Sequence, residues 1–96
     1  MTATGGRWTA TIAVRPSRPT LADWIERSLR PEVTREVPRT RALLRRPGPR
    51  TVEVVIEAKD AGAMRAALNT YLGWVRLAAA TVQAAAPEPG RAGRGR

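Results

Sequence analysis

Asp60 to Val82, DAGAMRAALNTYLGWVRLAAATV, decides how this chain folds. Wound at 3.6 residues per turn, Met64, Leu68, Tyr71, Leu72, Val75, Ala79 and Val82 make one apolar stripe, wide enough to cover a sheet. Ala66, Thr70, Gly73, Trp74, Leu77 and Ala84 fall on another side and are also small or apolar. The polar strip, Arg65, Asn69, Arg76 and Gln83, is narrow. A helix apolar nearly all round expects cover nearly all round. So short a chain cannot supply that alone, which points to partners.

The segments before it alternate. In Trp8 to Val14, Trp8, Ala10, Ile12 and Val14 share one face of a half-buried strand. Ser17 can cap a helix and Pro19 suits its first turn. Leu21, Ile25 and Leu29 give that helix its apolar stripe, with Trp24 on the flank, and Pro31 predicts its end. Glu32 to Val37 reads as a connector. Pro38 to Arg46 reads as a second strand, Pro47-Gly48-Pro49 as the turn, and Thr51 to Ala58 as a third strand. In that third strand Val52, Val54, Ile56 and Ala58 face inward, and Glu53 and Glu57 outward. Asp60 is the expected N-cap of the long helix, and Pro87 its stop.

The order β-α-β-β-α predicts an α+β fold: a three-stranded antiparallel sheet with two helices on one face. Residues 1–7 are expected as a loose leader, 8–86 as a single domain and 87–96 as a disordered Arg/Gly tail. A helix of this length spans about 36 Å and a strand of seven or eight residues about 25 Å, so the helix is expected to outrun its sheet.

Composition narrows the function. The chain has 96 residues and no cysteine or histidine. Disulfides, thiolate chemistry, and the commonest general base and zinc ligand are therefore missing. No apolar run reaches the length of a membrane span, and the N-terminus does not read as a secretory signal. A cytoplasmic protein is expected. The net charge is +9, from 17 basic and 8 acidic residues. Sixteen of the basic residues are arginine, with Lys59 the single lysine. Arginine suits phosphate recognition, although GC-rich codon usage produces the same bias.

Catalytic readings fail one by one. Asp23 and Glu26 lie three apart on the first helix, where a solvated face explains them better than a carboxylate pair. Ser17 and Ser28 have no histidine to activate them. The glycines fit no phosphate-binding loop. Glu53 and Glu57 are expected to balance Arg39 or Arg45 across the sheet. No catalytic, cofactor-binding or metal-binding residue is assigned, and no cofactor is expected.

Arg35, Arg39, Arg41, Arg45, Arg46 and Arg50 put a strong positive charge on one hairpin. Solvated edge charges that deter aggregation and contacts to RNA weigh about equally here. Stacking aromatics are absent from the outward strand positions, so any contact is to phosphate rather than to bases. Arg39, Arg41, Arg45 and Arg46 are the RNA-contact candidates.

From Ile56 through Val82 the chain resembles the small Pcc-type subunit of the KEOPS complex. I-E-A-K-D runs from a strand end into a helix, followed by A-M-R-A-A-L-N-T-Y-L-G-W-V-R-L. Leu68-Asn69-Thr70-Tyr71-Leu72, with Trp74 two residues later, is the most specific part. Ser28 to Val33 and the arginine-bearing second strand also fit, so the resemblance covers about residues 8 to 84. Gly73 departs from it, standing where a long polar residue is usual, and the Pro47-Gly48-Pro49 turn is stiffer than a simple hairpin.

The resemblance implies a non-catalytic α+β subunit that forms a homodimer and docks by its helices on the catalytic KEOPS subunit. That complex makes threonylcarbamoyl-adenosine beside the anticodon, and the small subunit helps present tRNA. On this reading Thr70, Gly73, Trp74, Leu77 and Thr81 form the partner interface, and Leu68 belongs to the sheet-facing core. The competing class is a stand-alone basic RNA-binding module of similar shape. It predicts base-stacking aromatics or a glycine clamp, which the chain lacks. A dimerising scaffold predicts an apolar helical flank useless to a monomer, which the chain has.

Overall fold

A computed structural model describes residues 7–35 and 37–85, with the side chains of 82–85 excluded. Glu36, the leader residues Met1–Gly6 and the tail from Ala86 lie outside the described residues, as do the side chains expected of Val82, Gln83 and Ala84.

The order is β1 (Trp8–Val14), α1 (Pro19–Val33), β2 (Thr40–Gly48), β3 (Thr51–Ala58) and α2 (Ala61–Ala85). The strands form one antiparallel sheet in the order β1-β3-β2. The expected α+β architecture is therefore the observed one. β3 takes the centre because it is the only strand paired on both sides. Its inward residues Val52, Val54, Ile56 and Ala58 are all fully buried, as its alternation predicts. Leu21, Ala22, Ile25 and Leu29 of α1 and Met64, Ala67, Tyr71, Val75 and Ala78 of α2 complete the core.

Several boundaries differ from expectation. α1 is capped at Arg18 rather than Ser17; the Arg18 carbonyl accepts from the Leu21 and Ala22 amides at 3.1 and 3.2 Å. α1 also continues through Pro31 to Val33. Pro31 stands in the last turn, where its missing N–H leaves only the Arg27 carbonyl unpaired, and Arg27 is exposed. The helix closes when the Thr34 hydroxyl donates to the Pro31 carbonyl at 2.7 Å.

β2 begins at Thr40, because Pro38 and Arg39 are the middle of a turn whose Thr40 amide donates to the Val37 carbonyl at 3.1 Å. β2 then runs to Gly48, which pairs with Thr51, so the hairpin turn is Pro49-Arg50. The register shifts between Arg45 and Gly48. An edge strand with such an irregularity tolerates the donor that Pro47 lacks.

α2 begins as expected. The Asp60 carboxylate accepts from the Ala63 amide at 2.7 Å, the bond an N-cap supplies. Its buried side is turned, however, from the predicted stripe toward Ala67, Ala78 and Trp74. Leu68, Leu72 and Ala79 are only half-buried. The cause is α1, which packs beside α2 on the same sheet face and covers that flank. Small residues at 67 and 78 allow the two helices to approach. Cover for Tyr71, Val75 and Ala78 thus comes from within the chain, more than the length argument predicts. Beyond them Leu77, Ala80 and Thr81 remain exposed.

Candidate interaction surfaces

Two surfaces carry the candidate residues: the flank of α2 beside α1, and the sheet face that no helix covers.

On the α2 flank, Trp74 is half-buried against the core and meets the Tyr71 ring edge-on, with centroids 5.1 Å apart and planes at 77°. Tyr71 is fully buried, and that burial pushes its phenol above its ordinary pKa. Trp74 is therefore partly a core residue. Leu77, one turn along, is 66% exposed. Trp74, Leu77, Ala78 and Thr81 line a shallow groove of about 160 Å³ against Ser28, Leu29 and Glu32 of α1. Gly73 is exposed and Thr70 half-buried, and neither lines the groove. Three of the five expected interface residues are thus brought together, and Gly73 borders them on the solvent side.

The open sheet face shows the outward residues in rows. Thr9, Glu57 and Arg41 align across one end; Thr11, Val55 and Leu43 across the middle; Ala13, Glu53 and Arg45 across the other. Leu43 is 58% exposed at the centre. Glu53 lies 3.9 Å from Arg45, the pairing its cross-strand register predicts. Glu57 serves Arg7 at 3.4 Å and Arg41 at 3.8 Å. These exposed pairs are weak.

Arg39 behaves otherwise. Its carboxylate partner is Asp60, reached from Nε at 2.9 Å and from Nη2, rather than Glu53 or Glu57. Its φ is +67°, unusual for a side-chain-bearing residue. Pro38 followed by a left-handed residue, closed by the Val37–Thr40 hydrogen bond, fits a type II turn, in which glycine is the usual third residue. The Ala63 amide, then Arg39, hold the Asp60 carboxyl below its ordinary 3.8.

Arg46 is not on the open face. It lies on the helix side, where its guanidinium bonds Asp23 at 2.8 Å and Glu26 at 2.7 Å, and donates to the carbonyls of Gly48 and Pro49. Those bonds, first Asp23 and then Glu26, raise its already high pKa. Asp23 and Glu26, expected as a solvated face, instead clasp the β2–β3 hairpin to α1. Sequence reasoning missed this clamp: alternation already sets Arg46 on the side of Thr40, Ala42 and Leu44, but the clamp also needs α1 to bring Asp23 and Glu26 over it, which no local pattern encodes. Arg7 and Lys59 also escaped it, since neither lies in the arginine-rich run.

A family model described as transcription factor Pcc1 matches residues 9–83 of this chain. The chain belongs to the Pcc1 family. No curated protein matches it. Pcc1 proteins are a family of non-catalytic subunits associated with the KEOPS complex, which works in tRNA processing. The Pcc1 match spans all five elements, so the helical flank and the open sheet face both fall within it. Among the described residues, no group of three or more carboxylates could hold a metal ion, and no helix is long and apolar enough to cross a membrane.

Proposed function

We propose that this chain is the dimerising scaffold of a cytoplasmic KEOPS complex. It docks on the catalytic subunit through its helices and assists tRNA binding during threonylcarbamoyl-adenosine formation. The observation that carries this reading is Leu77, 66% exposed beside half-buried Trp74 at the α1–α2 groove of a Pcc1-family chain. Leu77 is an apolar side chain left mostly in solvent next to half-buried Trp74 and buried Ala78, and a partner's side chain would cover it. Gly73 beside it admits a partner backbone closely.

The surfaces left for a second copy are the two edge strands, β1 and β2, and the open sheet face with Leu43 and Val55 at its centre. A two-fold dimer uses one such patch on both chains. tRNA contact falls to Arg39, Arg41 and Arg45 at the turn and on the open face. Arg46 drops out of that set, because all three of its guanidinium nitrogens have partners on the helix side.

The test is Leu77→Gln, which keeps a good helix former at an exposed position. Titration against the catalytic KEOPS subunit should show affinity lower by about tenfold or more, as expected for an interface anchor. Thermal melting should be unchanged. Wild-type affinity in this variant refutes the docking surface.

A further inference from the structure

The cations of this chain are not equally occupied. Arg46 is held by Asp23 and Glu26, Arg45 has Glu53 to itself, and Arg39 is held by Asp60. At one corner of the sheet the balance fails. Arg7 and Arg41 share the single carboxylate of Glu57, at 3.4 and 3.8 Å. Beside them, Lys59 has no carboxylate partner among the described residues. These side chains, with Arg39, border one concavity of about 590 Å³, whose apolar lining includes Val37 and Pro38.

The corner is held in shape. The Lys59 amide donates to the Arg39 carbonyl at 3.1 Å, which extends the β2–β3 ladder into the turn. The Thr40 hydroxyl donates to the Val37 carbonyl at 2.8 Å. An arginine, not a glycine, occupies the left-handed position, a backbone conformation that side-chain-bearing residues adopt at a cost. Strained residues of this kind gather at functional sites. Among the described residues, Glu57 and Asp60 set against four cations leave the corner a surplus of two positive charges.

We infer that this corner is a phosphate-binding site, with Arg7, Arg41 and Lys59 as its ligating side chains and Arg39 as its fixed rim. An arriving phosphate displaces the long Glu57 contacts and takes both guanidinium groups as forks, with the ammonium group as a third donor. The ligand is the phosphodiester backbone of RNA. In this the site deepens the RNA-contact part of the proposed function, and adds Arg7 and Lys59, which that reading lacked. The volume admits a nucleotide unit, and exposed Pro38 gives its uncharged portion a surface.

The experiment is an amide-resolved NMR titration of the full chain with a short unstructured oligoribonucleotide, and separately with inorganic phosphate. Shifts should concentrate at Arg7, Arg39, Arg41 and Lys59. The double variant Arg41→Gln/Lys59→Gln should weaken oligonucleotide binding at least tenfold, and flatten the slope of log affinity on log salt by up to about 1.4. Arg50→Gln, at the opposite end of the sheet where Arg50 is held by the Ser17 carbonyl at 3.2 Å, should lose less than twofold. Saturation by inorganic phosphate at the same residues assigns the site to free phosphates as well, whereas response to the oligonucleotide alone assigns it to RNA backbone.

Shifts spread evenly over all exposed arginines, or equal losses in the double variant and Arg50→Gln, overturn the inference. Should the double variant lose its native spectrum, Arg7→Gln, in the coil before β1, carries the same comparison. Titration with the catalytic subunit reads assembly separately, so loss of this site leaves the scaffold reading standing.

Discussion

Replacing Gly73 by alanine should make the isolated chain more stable and its complex weaker. Gly73 lies inside α2 on the exposed side, and a Cβ built there meets nothing within 4 Å. No clash opposes the intrinsic preference, so the gain is the helix-propensity difference, about 0.5–1 kcal/mol. In a domain of this size each kcal/mol moves the melting temperature by about 4–8 °C, so the rise should be about 2–8 °C. Melting followed by far-ultraviolet circular dichroism reads this, with variant and wild type at matched protein concentration because any self-association would shift the midpoint. The same methyl group, and more so the side chain of Gly73→Leu, projects where a partner helix would approach. Affinity for the catalytic subunit should fall about threefold for alanine and at least tenfold for leucine. A Gly73→Ala chain that melts at or below wild type refutes the open helix surface at this position. Undiminished binding by Gly73→Leu refutes the close approach.

Other substitutions separate core from surface. Trp74→Ala should destabilise the chain itself by about 2–3 kcal/mol, since it removes both core contact and the Tyr71 edge pair; Leu68→Ala, only half-buried, should cost less than the 2–5 kcal/mol of a fully buried leucine, about 1–2, both read by denaturant melts. Asp60 has its folded pKa lowered, so its contribution to stability is present above the unfolded value near 4 and is lost as pH falls through the folded one. Asp60→Asn keeps a capping oxygen without that charge, so its melting-temperature gap to wild type should close between about pH 5 and about pH 2. Arg41→Gln/Arg45→Gln should reduce the salt dependence of tRNA binding by the assembled complex without changing the melt. Arg46→Gln should do the reverse, lowering the melting temperature by releasing the hairpin from α1; a reduced salt slope in Arg46→Gln contradicts its assignment to the helix side.

Element order, and the inward face of β3, were legible because period-two alternation in Val52, Val54, Ile56 and Ala58 has one solution once a polar face is present. The N-cap at Asp60 was legible for the same local reason. What escaped is what tertiary contact decides. Pro31 forecast an end to α1, but a proline in a final turn removes only one bond, and packing of Leu29 and Val33 carried the helix past it. The buried sector of α2 depends on where α1 lies, which no periodicity within α2 encodes, so Leu68 and Leu72 were placed too deep and Trp74 too far out. The arginines were visible as a charge cluster, but their division into occupied and unoccupied was not. That division needs α1 to bring Asp23 and Glu26 over Arg46 and the left-handed turn to bring Arg39 to Asp60, both of them tertiary events. The available signals were the alternation that sets Arg46 with Thr40, Ala42 and Leu44, and Pro38 before Arg39 at a position where glycine is the usual choice.

The central claim is that this chain joins copies of a complex rather than acting alone. Light scattering of the purified protein, first by itself and then with the catalytic KEOPS subunit added, tests it most directly. The expected mass at micromolar concentration is that of a dimer, 20.8 kDa from two chains of 10.4 kDa. On mixing, a larger species that contains two copies of each subunit is expected. A monomer that stays monomeric at tens of micromolar, and does not shift when the catalytic subunit is added, contradicts it.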